Sequence, residues 1–501
     1  MVNAHSSREA NSERNLGKDT GVTDRKMDEI RNQSDHIATS NYRQTLRDVV
    51  RTSGPLMLAM SGHTIMMVVD RLCLAAYSEE TLAASGPAVF LTMTAVTLFV
   101  GVTHLGRAVV SQVFTKGGIE AAEFEAGRLL AVGAICAVLF ALVMPILVLV
   151  STLSARPPEV VRLEQIYLFW AIPFGIIMIF NSIASCYFAA INRSRQVLMA
   201  NTVGQAVAII MTYGLVFGAF GLPELGMAGS AIGTLLGTLS IAVTYVCATS
   251  ASSRKRFALS FAQNLASDKS GIIKRFYRGL PIGGNLSADD AGNTAIMWAT
   301  SIIGASALAA NNFNVILNYV GIIPILGISS GATVLVARAV SERDFNRVIE
   351  IAYASFGFAA VHIAIVTVLI ITYAHPLTTL FGIKDYGANI YDMSISITHI
   401  IWLYAIAFAL SFISSAVLQG FGLNGIVLKW RIAIMWFGSV PAAFVIALAI
   451  HSESAAVLAI WISLSLFELL LGVVFLRYVF RAVRAQADTL SSLISTGDLH
   501  A

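Results

Sequence analysis

Long runs of apolar residues, each about the length that crosses a bilayer, alternate with short polar connections along most of this chain. A span needs about 20 predominantly apolar residues. By that measure the pattern predicts twelve membrane helices, at 50–75, 86–110, 127–151, 163–189, 197–219, 227–249, 280–303, 310–336, 350–373, 394–418, 428–450 and 455–479. An even number puts both termini on one side. Shifting the chain by 226 residues lays Pro55 on Pro281, the LAA of 82–84 on that of 308–310, Gly101 on Gly327, Thr103 on Ser329 and Val110 on Val336. Six spans per half keep the halves in the same orientation, a parallel repeat about an axis along the membrane normal. The expected architecture is an all-α integral membrane protein of two six-helix bundles related by a parallel pseudo-two-fold repeat. Its expected parts are a disordered tail over 1–45, an N-lobe over 46–250, a linker over 251–278, a C-lobe over 279–484 and a second tail over 485–501.

Composition sharpens this reading. Charged residues make up 12% of the 501 and hydrophobic ones 56%, against about 25% charged in soluble domains. Residues 1–42 hold six Lys/Arg and seven Asp/Glu among small polar residues. They have no apolar core of the kind a signal peptide carries, and their composition is that of a disordered tail. Against the span map, 29 of the 33 Lys/Arg lie on one side. Arg156, Arg162 and Lys384 lie on the other, and Arg71 lies within a span. The positive-inside rule then places both tails and the central loop in the cytoplasm, as expected for a multi-pass protein of a cell membrane, here a bacterial inner membrane. The basic SSRKRF of 252–257 reads as a topology signal, with acidic-lipid binding as the alternative. Cys73, Cys136, Cys186 and Cys247 lie in apolar segments without metal-like spacing and read as small packing residues. Gly229, Gly233 and Gly237, four apart, form a small-residue ridge for helix packing.

Polar residues at membrane depth are the candidates for chemistry. An ionised side chain at the bilayer centre costs roughly 2.5–3.5 kcal/mol on insertion scales. Asp70 lies inside the first span, too deep to snorkel easily, and Arg71 points about 100° away around the helix. Two readings stand: a structural hydrogen bond to a neighbouring helix, or a carboxylate that exchanges a cation. His63, seven residues earlier, shares the face of Asp70. In the second half Asn285, Asp289 and Asn293 form a polar stripe on the seventh span, and Asn311, Asn314 and Asn318 form another on the eighth. Such stripes face protein or water, not lipid. They are either helix glue or, as preferred, the lining of a cavity with Asp289 as its charged member. Arg107 and Glu468 read as groups that snorkel or pair near an interface. Met66 and Met67 suit a broad apolar wall. No HExxH or Walker pattern occurs, and the GxSxG match at 327–331 lies inside the eighth predicted span, so an enzyme is not expected.

Several stretches together resemble the multidrug and toxic compound extrusion (MATE) transporters. They are VVDRLCLAAYSEETLAASG (68–86), FGAFGLPELGMAGSAIGTLLG (217–237), GLPIGGNLSADDAGN (279–293), the segment from LAANNFNVILNYVG (308–321) to Asp344, and VLQGFGLNG (417–425). The resemblance runs from about residue 46 to 480. It implies two lobes that open alternately to the two faces, exporting organic, often cationic, compounds in exchange for H⁺ or Na⁺, with no other cofactor. It places Asp70 at the core of an N-lobe cation site to which Asn181 contributes, and Asp289 at an acidic position of the seventh helix. On the fifth helix, positions where the family often carries oxygen ligands are Ala208 and Thr212, and on the tenth an acidic position is Phe408. Fewer oxygens suit a proton better than sodium. The expectation is therefore an H⁺-favouring antiporter, a monomer in lipid whose partners are small organic cations and not nucleic acid. The alternatives are a dedicated exporter of one metabolite or toxin, or a lipid-linked oligosaccharide flippase.

Overall fold

The computed structural model describes residues 42–74, 76–152, 158–380 and 388–496. The predicted tail over 1–41, the last residues of the chain, Arg156 and Lys384 lie outside them. Residues 1–48 and 49–501 form two separate units. The architecture of the second is described here.

All twelve expected spans fall on helices. The first is α1, over 42–74. The second runs through α2 (Glu79–Thr103) into α3 (Leu105–Thr152). Inside α3 the backbone turns at Gly118, where φ is 67°. That left-handed conformation favours glycine, and it divides the end of the second span from the third. α4 (Pro158–Ala190), α5 (Ser194–Phe217) and α6 (Met227–Ala248) complete the first bundle. The linker is itself helical, as α7 (Ala251–Ser267), and leads into α8 (Lys269–Ile303), the seventh span. α9 (Ala305–Ser341) and α10 (Phe345–Thr372) follow, then the short α11 (Ala374–Leu380). α12 (Ala388–Thr398) and α13 (Ile401–Gly420) share the tenth span. The eleventh is split into α14 (Asn424–Ile434) and α15 (Val440–Ala449) by a widened π turn over Met435–Ser439. Pro441 follows that turn and has no N–H to continue the regular ladder. α16 (Glu453–Thr496) is the last.

The glycine ridge of α6 does what its spacing predicts. A Cβ at Gly229, Gly233 or Gly237 would lie within 2.5 Å of Leu215, Thr212 or Ala208 on α5, respectively. The two helices therefore touch backbone to backbone, in the manner of small-xxx-small packing. The linker helix is tied down by charge. Glu123, buried on α3, accepts from Ser253 Oγ at 2.5 Å and pairs with Arg256 Nε at 2.6 Å. Glu125 pairs with Arg275 at 2.8 Å and with Arg128 at 3.1 Å.

The repeat is visible in how the halves touch. A Cβ at Gly101 would lie 2.4 Å from Gly283 Cα, and one at Gly327 would lie 2.4 Å from Met57 Cα. Under the 226-residue shift these are the same contact, made once by α2 on α8 and once by α9 on α1. At the same end Ser53 Oγ donates to Ile328 O at 3.4 Å, and Ser111 Oγ donates to Val334 O at 2.8 Å. Arg338 reaches across from α9, donating to Ser111 Oγ at 3.1 Å, to the Asn192 side chain and to the Ala190 carbonyl. Gln112, its repeat equivalent, donates in the opposite direction to Gly420 O at 3.3 Å. The halves are thus latched at one end by a pair of symmetry-related glycine contacts and their flanking polar bonds.

A side chain at Gly283 cannot be housed without moving α2, because its Cβ would lie 2.1 Å from Leu98 O. Gly283→Leu is expected to part the halves at this end. Ser111, fully buried here, should then react as Ser111→Cys with a water-soluble maleimide, in a protein whose exposed Cys247 is replaced. Equal labelling with and without Gly283→Leu would show that the glycine contact does not hold the latch.

Candidate functional site

Besides the buried Glu123, Glu125 and Glu164, each bundle buries one of the acidic candidates, Asp70 or Asp289, and the two sites are built differently. In the first bundle Asp70 sits near the end of α1, 8% exposed. Its Oδ1 accepts a hydrogen bond of 2.6 Å from Ser230 Oγ on α6. Among the described residues no cationic side chain pairs with it, and Arg71 is exposed. So the carboxylate is buried, hydrogen-bonded once by a neutral hydroxyl, and without a counter-ion. The structure thus supplies the hydrogen bond of the first sequence reading and leaves the charge of the second uncompensated.

The other N-lobe candidates are placed around it unevenly. Asn181 on α4 is buried, and its Nδ2 donates 2.9 Å to Thr238 O on α6. Thr238 lies eight residues beyond Ser230, about 12 Å along the helix. Asn181 therefore braces α4 against α6 at another level, and the structure does not join it to Asp70. His63, Met66 and Met67 on α1 are half-buried. Ala208 and Thr212 are both buried in the α5–α6 contact. Thr212 Oγ1 has no hydrogen-bond partner among the described residues. It faces Gly233, one turn from Ser230, so the fifth helix still offers one free oxygen where the sequence reading counted none.

In the second bundle the centre is an arginine. Arg431 on α14 is fully buried. Its Nη1 lies 3.1 Å from Asp289 Oδ1 on α8 and 3.0 and 2.9 Å from the two carboxylate oxygens of Glu468 on α16. Nε reaches Asn285 Oδ1 at 3.4 Å. Ser411 on α13 donates its hydroxyl to Glu468. The guanidinium carbon lies 4.8 Å from the ring centre of Phe412, on which Phe408 is stacked at 3.9 Å. A single guanidinium thus serves two carboxylates from two helices, with an aromatic pair behind it.

This overturns part of the sequence reading. The charge count puts Arg431 with the cytoplasmic loop residues, and the sequence reading has Glu468 snorkelling or pairing near an interface; the structure bears out the pairing but places it in the core. Both are core residues that pair with Asp289. The signal was present, since Arg431 lies three residues inside the predicted span 428–450. Asn285 and Asp289 do share a face, as their spacing predicted, but that face meets Arg431. Asn293 is half-buried one turn further on.

The stripe on α9 divides. Asn314 is fully buried and saturated. Its Nδ2 donates to Ala310 O at 3.0 Å and Ser394 O at 3.1 Å, and its Oδ1 accepts from Thr398 Oγ1 at 2.9 Å. Asn311 Oδ1 accepts from Trp461 Nε1 at 3.0 Å. These contacts make Asn314 a tie between α9 and α12 and Asn311 a tie between α9 and α16. Asn318 is buried with its Oδ1 unpartnered among the described residues, so it is the member of that stripe still open to a ligand.

The repeat relates the two centres. The 226-residue shift carries Asp289 onto His63, Asn285 onto Ala59 and Arg431 onto Gln205. Gln205 Nε2 donates to Ala59 O at 3.0 Å, the counterpart of the Arg431–Asn285 contact. The fifth and eleventh spans therefore hold the first and seventh at equivalent points, and only the second bundle has put charges there.

This twelve-helix arrangement, with a duplicated bundle and a buried acid in each half, is matched by a known family profile. The MatE profile covers residues 55–214 and 290–445. The chain belongs to the MatE family. It is similar to the probable multidrug resistance protein NorM of Bradyrhizobium diazoefficiens, with 26% identity over 441 residues, which cover 86% of this chain and 91% of that protein. It is also similar to the multidrug resistance protein NorM of Burkholderia vietnamiensis, with 24% identity over 383 residues, 74% of this chain and 81% of that one. Among solved structures, a crystal structure of MATE in complex with MaL6 aligns with a TM-score of 0.76 at 18% identity, covering 89% of this chain and 97% of that one. An outward-facing multidrug resistance MATE family transporter of the MOP superfamily aligns with a TM-score of 0.76 at 19% identity, over 88% and 96%. At these identities the structural likeness speaks for the fold. The MatE profile stops short of Glu468 and leaves out Asn285, so the acid–arginine cluster lies partly beyond the matched segments.

Proposed function

We propose that this MatE protein is a secondary antiporter that expels organic cations from the cell in exchange for protons, by alternating access of the two bundles. The observation that carries this reading is Asp70, a buried carboxylate that makes no ion pair among the described residues and whose hydrogen-bond partner is the neutral Ser230 hydroxyl. Left charged, such a group is costly at membrane depth. It is satisfied in turn by a proton or by a cationic solute, and the two compete for one negative charge. Sodium needs several oxygens in a close shell. Among the described residues the one side-chain hydrogen bond to Asp70 comes from Ser230 Oγ, a sparse oxygen shell that favours the proton.

With both tails in the cytoplasm, the latch around Ser53, Ser111 and Arg338 lies on the cytoplasmic side. The latched form is then the one that faces outward. In that form Asp70 takes a proton from the acidic side and lets the solute go. In the inward form it gives up the proton and accepts the next solute. The printed names of the relatives, multidrug resistance proteins, support a broad range of solutes. Half-buried Met66 and Met67 on the Asp70 helix suit such breadth, because thioether chains adapt their shape.

The test is transport of a fluorescent lipophilic cation in proteoliposomes, with a pH gradient and a sodium gradient imposed separately. The pH gradient alone is expected to drive accumulation against the solute gradient. Transport that ignores the pH gradient and follows sodium would contradict proton coupling.

A further inference from the structure

We propose that Arg431 is a tethered cation that fills the C-lobe acidic site, so that neither an inorganic cation nor a cationic solute binds there while the guanidinium is in place. The argument is one of occupied volume. Nη1 of Arg431 lies 3.1 Å from Asp289 Oδ1 and 2.9–3.0 Å from both oxygens of Glu468. A hard metal cation takes its oxygen ligands at about 2.3–2.6 Å. An ion shared by these two carboxylates would therefore have to sit in the space that Nη1 fills. An ammonium group would compete for the same three oxygens.

The arginine is also held from two other sides, although its Nη2 is buried with no hydrogen-bond partner among the described residues. Nε faces Asn285 Oδ1 at 3.4 Å, and the plane of the group lies over Phe412, its carbon 4.8 Å from the ring centre. Ser411 donates to Glu468, which leaves that carboxylate aimed at the guanidinium. The side chain of Arg431 is 0% exposed and that of Asp289 12%, so the arginine stands behind the aspartate and cannot swing out into water as a surface arginine would. With Arg431 present, the formal charge of the cluster is −1 instead of −2.

Arg431 is on this view a specificity-determining residue. It confines exchange of the driving ion to the N-lobe centre at Asp70. The inference rests on the proposed antiport only in that assignment of Asp70, and its test does not require transport. Equilibrium binding of radiolabelled sodium to purified protein is measured in an Asp70→Asn background, which removes the N-lobe carboxylate. With Arg431 intact, no saturable sodium binding is expected. Arg431→Gln/Glu468→Gln in the same background deletes one charge pair and frees Asp289. It should create saturable sodium binding where the Arg431-containing protein has none, and adding Asp289→Asn should abolish the gain.

Sodium binding by the Arg431-containing protein that Asp289→Asn removes would overturn the inference, as would a folded double variant without any gain. If the double variant does not fold, the Arg431-containing arm alone decides. Sodium binding by the unaltered protein that vanishes with Asp70→Asn alone would contradict the proton reading, yet it would support confinement of ion exchange to the N-lobe.

Discussion

Replacing Asp70 by asparagine is expected to reduce active efflux to the level of vesicles without protein, while the folded protein and its amount in the membrane stay unchanged. The asparagine carbonyl still accepts the Ser230 hydroxyl, at 2.6 Å in the parent, so the tie between α1 and α6 survives. A neutral hydrogen bond is worth about 0.5–1.5 kcal/mol, which bounds any change in stability. What is lost is the one negative charge in the N-lobe centre that two cations can share. The effect on transport should therefore far exceed the effect on unfolding. Efflux measured beside a thermal melt in detergent separates the two. An Asp70→Asn protein that melts like the parent and still pumps would remove Asp70 from the mechanism.

Arg431→Ala is expected to behave in the opposite way, with a large effect on stability. It leaves Asp289 and Glu468 buried together, 9% and 6% exposed, without their shared partner. Breaking a buried ion pair by removing one partner costs about 3–5 kcal/mol. Loss of the guanidinium over Phe412 adds about 0.5–2 kcal/mol. An apolar replacement of the whole cluster, Arg431→Met with Asp289→Leu and Glu468→Met, should recover most of that loss, because apolar substitution of a complete buried ion pair is often neutral or stabilising. Unfolding midpoints of the single and triple variants in the same detergent decide the matter. If Arg431→Ala is as stable as the parent, the cluster does not hold α8, α14 and α16 together.

These expectations depend on residues that were unequally legible in the sequence. Span count and repeat were legible, because apolar runs of membrane length carry no competing reading. The 226-residue shift aligned Gly101 with Gly327, and the structure shows that these two make equivalent contacts across the halves. Asp70 stood out as a carboxylate inside an apolar span with no partner on its own helix face, although it lies five residues from the end predicted for that span. Arg431 did not, because three residues from a span edge an arginine is ordinarily free to snorkel. Only the fold shows that α8 and α16 wall it in. Asn314 shows a different limit. Its four-residue spacing with Asn318 correctly put both on one face of α9, but periodicity gives a face and not its neighbour. Ser394 and Thr398 on α12 turn one asparagine into a strut, while Asn318 Oδ1 stays without a partner among the described residues. Thr212 was read as a missing ligand on identity alone. The close approach of α5 to Gly233 is what leaves its hydroxyl free.

The central claim is that a proton and a cationic solute compete for Asp70. Coupling between two ligands is reciprocal, so the solute must weaken proton binding by the same factor by which the proton weakens solute binding. A bound cation favours the charged carboxylate, and the proton it displaces must enter solution. The direct measurement is therefore proton release when tetraphenylphosphonium is added to purified protein in weakly buffered detergent solution. The account predicts a saturable release from the parent protein and none from Asp70→Asn. Saturable binding of the cation without any release from the parent, or an undiminished release from Asp70→Asn, would contradict it.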